Sequence, residues 1–153
     1  MAGERSYKIL FLGRLLIGLV FAYSGYTKLM DPVENFQAGI AAYDVIPYMM
    51  VPWIARIIPW VEFIFGVFML TGYMTRLSAA VLAGLSWSFV LLICVTWLAT
   101  RSLPSDCGCF GEGSLVHLKP YQVLIMDLVN TVIGLKLFLT REHPASLDSL
   151  LSK

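Results

Sequence analysis

Between Arg76 and Arg101 the chain carries no charged side chain, and the residues from Leu77 to Ala99 are almost wholly apolar. A run of about 20 such residues spans the roughly 30 Å of hydrocarbon in a bilayer, and no soluble domain of ordinary size needs one. Three further runs share the property, from about Ile9 to Thr27, Pro52 to Leu70 and Tyr121 to Leu139. Four such spans take up about half of the 153 residues, which suits one all-α integral membrane domain, a four-helix transmembrane bundle over 1–153. Composition agrees: 58% of residues are hydrophobic, and 11 Lys or Arg face 10 Asp or Glu. Those few charges cannot cover a water-soluble surface. They form no basic block for nucleic acid either.

Arg5 and Lys8 precede the first apolar run as they would in a signal peptide, but the run is longer than an h-region and no A-x-A-like site closes it. It is read as a retained span. The positive-inside rule then favours both termini in the cytoplasm, with Arg5, Lys8, Arg76, Lys136, Arg141 and Lys153 inside and Lys28, Arg101 and Lys119 outside. The setting is a plasma membrane such as the bacterial inner membrane. The connections before the second span and after the third become external, and 140–153 is a cytoplasmic tail.

The first external connection predicts a short amphipathic helix over about 32–44 at the membrane surface. Asp31 is its expected N-cap, with Pro32 at the first position and Glu34 at the third. Val33, Phe36, Ile40 and Tyr43 recur at helical spacing opposite Glu34, Gln37 and Asp44, and Pro47 ends the segment. It is either a connector over the bundle or a lid on a pocket.

The second external connection, about 100–119, is polar and glycine-rich and contains Cys107 and Cys109 on either side of Gly108. Thiols in an exported loop meet oxidants and partners, and a C-x-C disulfide closes a small ring only with an unusual backbone. Residual strain would make such a bond exchange readily. Three readings stay open: a redox-active dithiol, a structural disulfide, and a metal site. For the last, His117 and Asp106 are the nearby additional ligands, too few to complete zinc in a monomer. Cys94 lies about 7 to 8 Å below the outer end of the third span by helix rise. It is either a small buried hydrophobe or a resolving thiol.

Ionisable residues inside spans are the second signal, since each is costly in hydrocarbon unless paired or hydrated. Arg14, Arg56, Glu62 and Asp127 qualify, and Lys28 stands at the outer end of the first span. Depth along each helix predicts the pairs Arg56 with Asp127 and Arg14 with Glu62. Such pairs either fix helix register or form a polar pocket that relays protons and binds the carbonyl of a quinone or another small polar substrate. Tyr23, Tyr26, Trp53, Trp60 and Trp97 are either walls of that pocket or interface residues. Small residues at Gly18 and Ala22, and at Ala80, Gly84 and Ser88, predict close approach of the first and third spans. Pro59 predicts a kink just before Glu62.

Arg14, S-G-Y-T-K-L at Ser24 to Leu29 followed by Asp31-Pro32, P-W-V-E at Pro59 to Glu62, and C-G-C-F-G at Cys107 to Gly111 together resemble the MauE (methylamine utilisation) branch of the DoxX-like integral membrane proteins. The resemblance implies a four-helix membrane protein engaged in thiol redox work outside the membrane. Its partner would be an exported thioredoxin-like protein or a dehydrogenase subunit that matures by disulfide formation. It also implies a distant architectural likeness to quinone-linked disulfide-generating membrane proteins, from which this chain departs in having no C-x-x-C and no second external cysteine pair. The expected activity is thiol-disulfide exchange through Cys107 and Cys109, with Lys28, Arg56, Glu62, Asp127 and Arg14 on the membrane side and Cys94 as a further thiol. The alternatives are a noncatalytic accessory subunit of a membrane redox complex and, with only the intramembrane charges in its favour, a small-solute carrier.

Overall fold

In hydrocarbon every backbone N–H and C=O must be satisfied within its own segment, so long apolar runs have little choice but the helix. The computed structural model describes residues 2–103 and 119–140 and is all-helical over them. Four long helices, α1 (Ala2–Met30), α3 (Val51–Thr71), α4 (Thr75–Thr100) and α5 (Pro120–Leu139), are each long and apolar enough to cross a membrane, and a short α2 (Val33–Ala41) stands between the first two. The expected spans are recovered to within a few residues at most ends, and α1 begins further upstream. Cys107, Cys109 and their neighbours Asp106, Glu112 and His117 lie outside the described residues, as does the tail from 141 onward.

The long helices form a bundle whose exterior is more apolar than its centre. Leu12, Leu16 and Leu19 on α1, Ile57 on α3, Leu98 on α4 and Ile125 and Val132 on α5 are all exposed, whereas Arg14, Lys28, Glu62 and Asp127 are buried. A largely apolar perimeter around buried charge suits lipid as the surrounding solvent, and the protein is a four-helix membrane bundle.

Within the bundle α1 packs along α3, and α4 along α5, far more extensively than either pair packs on the other. Glycine decides the first contact. A Cβ at Gly66 would lie 2.5 Å from the backbone nitrogen of Ala22, and one at Gly25 would lie 2.5 Å from that of Phe63. The expected stripe on the first span is therefore used, but Gly18 meets Leu70 of α3 rather than α4. The stripe on α4 is not used in this way: space around Gly84 is open within 4 Å, and Ser88 is exposed.

The interfacial segment is shorter than expected and starts one residue later. Pro32, with φ −54° and ψ 131°, is extended and takes the N-cap position given above to Asp31. The helix stops at Ala41, after which Asp44 adopts a positive φ of 54°. The expected apolar face is nevertheless the buried one: Phe36 and Ile40 pack with Val51 and Ala55 of α3, and Tyr43 packs with Ile93 and Val123. The Tyr43 carbonyl also accepts a hydrogen bond from Thr96 Oγ1 at 3.4 Å, which fastens this segment to α4. Helix α3 runs unbroken through Pro59.

Candidate functional site

Residues four apart on a helix share a face, and Ser24 and Lys28 use that spacing to present two polar groups from the last turns of α1. Close packing at Gly25 brings α3 against them. There Lys28 Nζ donates to both oxygens of Glu62, at 2.9 Å to Oε1 and 2.8 Å to Oε2, and Ser24 Oγ donates to Oε2 at 3.1 Å. This is a bidentate ion pair shielded from bulk solvent, with Lys28 4% and Glu62 1% exposed. Burying both charges is tolerable because each is opposed by the other and by hydrogen bonds.

Helix α5 supplies a third ionisable group to the same place. Asp127 is buried and accepts a hydrogen bond from Ser86 Oγ of α4 at 3.1 Å. Asn130, one turn further along α5, is 3% exposed and sets its side chain beside the Asp127 carboxyl. Lys28, Glu62, Asp127 and Asn130 border one small cavity of about 20 Å³, closed on the apolar side by Phe21 and Phe89. That volume holds about one water-sized group, and the polar lining offers it several hydrogen bonds. On the side of α2 the Phe36 ring lies 4.8 Å from Lys28 Nζ, and the Phe89 ring lies 5.7 Å away.

Both expected ion pairs are corrected. Glu62 belongs to Lys28, not Arg14. The packing of Gly25 on Pro59 and Phe63 sets Glu62 level with the Gly25 turn of α1, so Arg14 lies roughly 15 Å or more further along the helix. Arg14 is buried near the α3–α4 turn, its guanidinium 5.2 Å from the Phe11 ring centroid. Arg56 is exposed on α3, while Asp127 faces inward to Ser86, so these two do not pair. Tyr23, Tyr26, Trp53, Trp60 and Trp97 are exposed as an interface belt would be, and phenylalanines wall the cavity instead. Cys94 is a free thiol exposed on α4, not a buried hydrophobe between helices.

Ser24, Ser86 and Asn130 were missed. Spacing signals two of the three: Ser24 with Lys28 at i, i+4 and Asp127 with Asn130 at i, i+3 each put two polar residues on one face of an apolar helix.

A family model described as methylamine utilisation protein MauE matches residues 6–140. The chain belongs to the MauE family. Comparison with curated proteins and with solved structures gives no match. In this MauE-family protein two of the motifs that carried the resemblance meet in space, since S-G-Y-T-K-L contributes Ser24 and Lys28 and P-W-V-E contributes Glu62. The arrangement holds one carboxylate fixed between an ammonium and a hydroxyl, beside a second carboxyl and an amide donor. A site of this kind can orient a small oxygen-bearing group and exchange protons with it.

Proposed function

We propose that this MauE-family membrane protein performs thiol-disulfide exchange, with Cys107 and Cys109 as its dithiol and an exported thioredoxin-like protein or dehydrogenase subunit as its partner. The observation that carries the reading is the buried Lys28–Glu62 pair with Asp127 beside it, in a bundle whose α4–α5 connection contains the C-G-C sequence. Oxidising two thiols releases two protons with two electrons, and an intramembrane site of fixed carboxyl and amine groups is suited to taking part in that transfer. Helix α4 ends at Thr100 and α5 begins at Pro120, so the chain between them leaves and rejoins the same end of the bundle as α2.

In this reading that end faces the exterior, both termini face the cytoplasm, and the family sits within the wider DoxX-like group. Cys94, exposed on α4 toward lipid, is not required as the resolving thiol.

Single replacements Cys107→Ser and Cys109→Ser in intact membranes test the proposal by mixed-disulfide trapping. One of the two should accumulate a covalent, reductant-sensitive complex with an exported protein, and the double replacement should lose it. If neither variant traps a partner while both are fully accessible to alkylation, the exchange reading fails and the segment becomes a docking element of an accessory subunit.

A further inference from the structure

Helix α2 has the polar and apolar faces of a helix that lies on a membrane, yet neither face is suited to lipid. Its apolar face is spent on the protein itself, with Phe36 and Ile40 against α3 and the following Tyr43 against Ile93 and Val123. Helices that rest on a bilayer surface carry Lys and Arg on the polar face, where they meet lipid phosphates. From Asp31 to Met50 this chain has three acids and no Lys or Arg. Glu34 and Asp44 are both exposed, and Glu34, two residues before Phe36, stands on the opposite side of α2 from that buried ring.

The turn between α2 and α3 adds apolar surface to this acidic face. Tyr48 is 82% and Met49 86% exposed, more than any other large apolar side chain among the described residues. Their backbone is well ordered. The Met50 N–H donates to the Pro47 carbonyl at 2.8 Å and the Val51 N–H to that of Tyr48 at 3.3 Å, which seats the turn on the start of α3. The Asp44 N–H is likewise bonded to the Ala41 carbonyl at 3.1 Å. A fixed turn that holds out a tyrosine and a methionine beside carboxylates has the makeup of a protein interface, an aromatic and thioether centre with a polar rim.

The position of this surface indicates its partner. Leu103, the last described residue before the α4–α5 connection, packs on the cluster of Tyr43, Ile93 and Val123, and Asp44 follows Tyr43 directly. The connection that contains the C-G-C sequence therefore leaves the bundle beside the acidic turn. Arg101 and Lys119 are exposed at the two ends of that connection, so the acids belong to α2 and its turn and the bases to the connection.

We propose that the outward face of α2 and the 44–50 turn form the docking surface for the exported protein that exchanges with Cys107 and Cys109, and that this partner presents an apolar patch rimmed by Lys or Arg. The proposal rests on the exchange reading above and adds where the partner sits and what its surface carries. Glu34 and Asp44 steer a basic face on approach, and Tyr48 and Met49 supply the contact once it has arrived.

The test uses the full-length Cys107→Ser and Cys109→Ser variants in right-side-out vesicles supplied with the exported protein fraction. The photoreactive p-benzoylphenylalanine replaces Met49 or, as a lipid-facing control, Ile125. The probe is the exported protein held by the mixed disulfide. After irradiation the complex labelled at Met49 should survive reductant, and the one labelled at Ile125 should still come apart. Glu34→Lys with Asp44→Asn should slow formation of the complex about tenfold at low ionic strength and by much less at high salt, the behaviour of a steering charge. The alkylation rate of the remaining thiol and the size-exclusion profile should not change. A complex that stays fully sensitive to reductant with the label at Met49, or that forms equally fast without the two acids, overturns the docking surface and leaves the exchange reading standing. Adducts at Met49 confined to lipid overturn it too and make the turn a membrane anchor. If no variant traps a partner, the exchange reading fails. The surface outlives that failure if light still joins the Met49-labelled chain to one exported protein in an amount that drops with Glu34→Lys, and falls with it otherwise.

Discussion

Replacing Glu62 by Gln removes one member of a buried ion pair while keeping the shape of the side chain. Lys28 is 4% exposed, and both hydrogen bonds it makes in the cavity end on Glu62 oxygens. Breaking a buried pair in this way costs about 3 to 5 kcal/mol, since the remaining charge keeps its desolvation penalty and loses its partner. At about 1.4 kcal/mol per factor of ten, the folded fraction relative to unfolded should fall at least a hundredfold. The Ser24 hydroxyl can still donate to the amide oxygen, which offsets only a small part. The double change Lys28→Gln with Glu62→Gln removes both charges and should recover most of the loss. Arg14→Gln with Glu62→Gln should recover none, because Arg14 lies elsewhere in the bundle. Reversible unfolding in mixed detergent micelles, with abundance in membranes as a second reading, measures all four proteins. If Glu62→Gln is as stable as the parent, or if Arg14→Gln rescues it and Lys28→Gln does not, the Lys28–Glu62 assignment is wrong.

Three further outcomes are expected. Gly66→Leu should lower stability by about 1 to 3 kcal/mol or more in the same assay, because a Cβ there meets the Ala22 backbone at 2.5 Å, whereas Gly84→Leu should be near neutral because its surroundings are open. Ser86→Ala should cost about 1 to 3 kcal/mol by leaving Asp127 Oδ1 without its hydroxyl donor, and Ser86→Thr should preserve more of the stability than Ala does. After reduction of intact cells, an impermeant maleimide should label Cys107 and Cys109, while Cys94, exposed on the α4 surface, should react only with a lipid-permeant maleimide. Labelling of the pair only after lysis would reverse the orientation.

The spans were legible because membrane length and hydropathy act over some twenty residues at once, and no single side chain can override them. Partner choice among the charges was not. Lys28 stands two residues from the end of α1, where a lysine is expected to reach outward to the interface; here its flexible stem carries the ammonium inward to Glu62. Depth along separate helices cannot fix such pairs without the relative sliding of α1 on α3, and Gly25 and Gly66 set that sliding through contacts that only the folded backbone reveals. The same holds for Asp127, where matching depth suggested Arg56 and helix rotation delivered Ser86. The amphipathic face of α2 was read correctly from Phe36, Ile40 and Tyr43, yet its length was not, since the turn after Ala41 is set by Tyr43 entering the core.

The most direct test of a link between the buried polar site and the thiols is the rate at which Cys107 and Cys109 reoxidise after reduction in membranes. It is followed by gel shift in the parent protein and in the charge-free double variant Lys28→Gln with Glu62→Gln, whose abundance is expected to be near normal. Reoxidation should slow by about tenfold or more in the double variant while the rate of alkylation by a small thiol reagent stays unchanged, the size of effect a positioned acid–base group contributes. Equal reoxidation rates in the two proteins would contradict the account and leave the Lys28–Glu62 pair as a structural joint between α1 and α3.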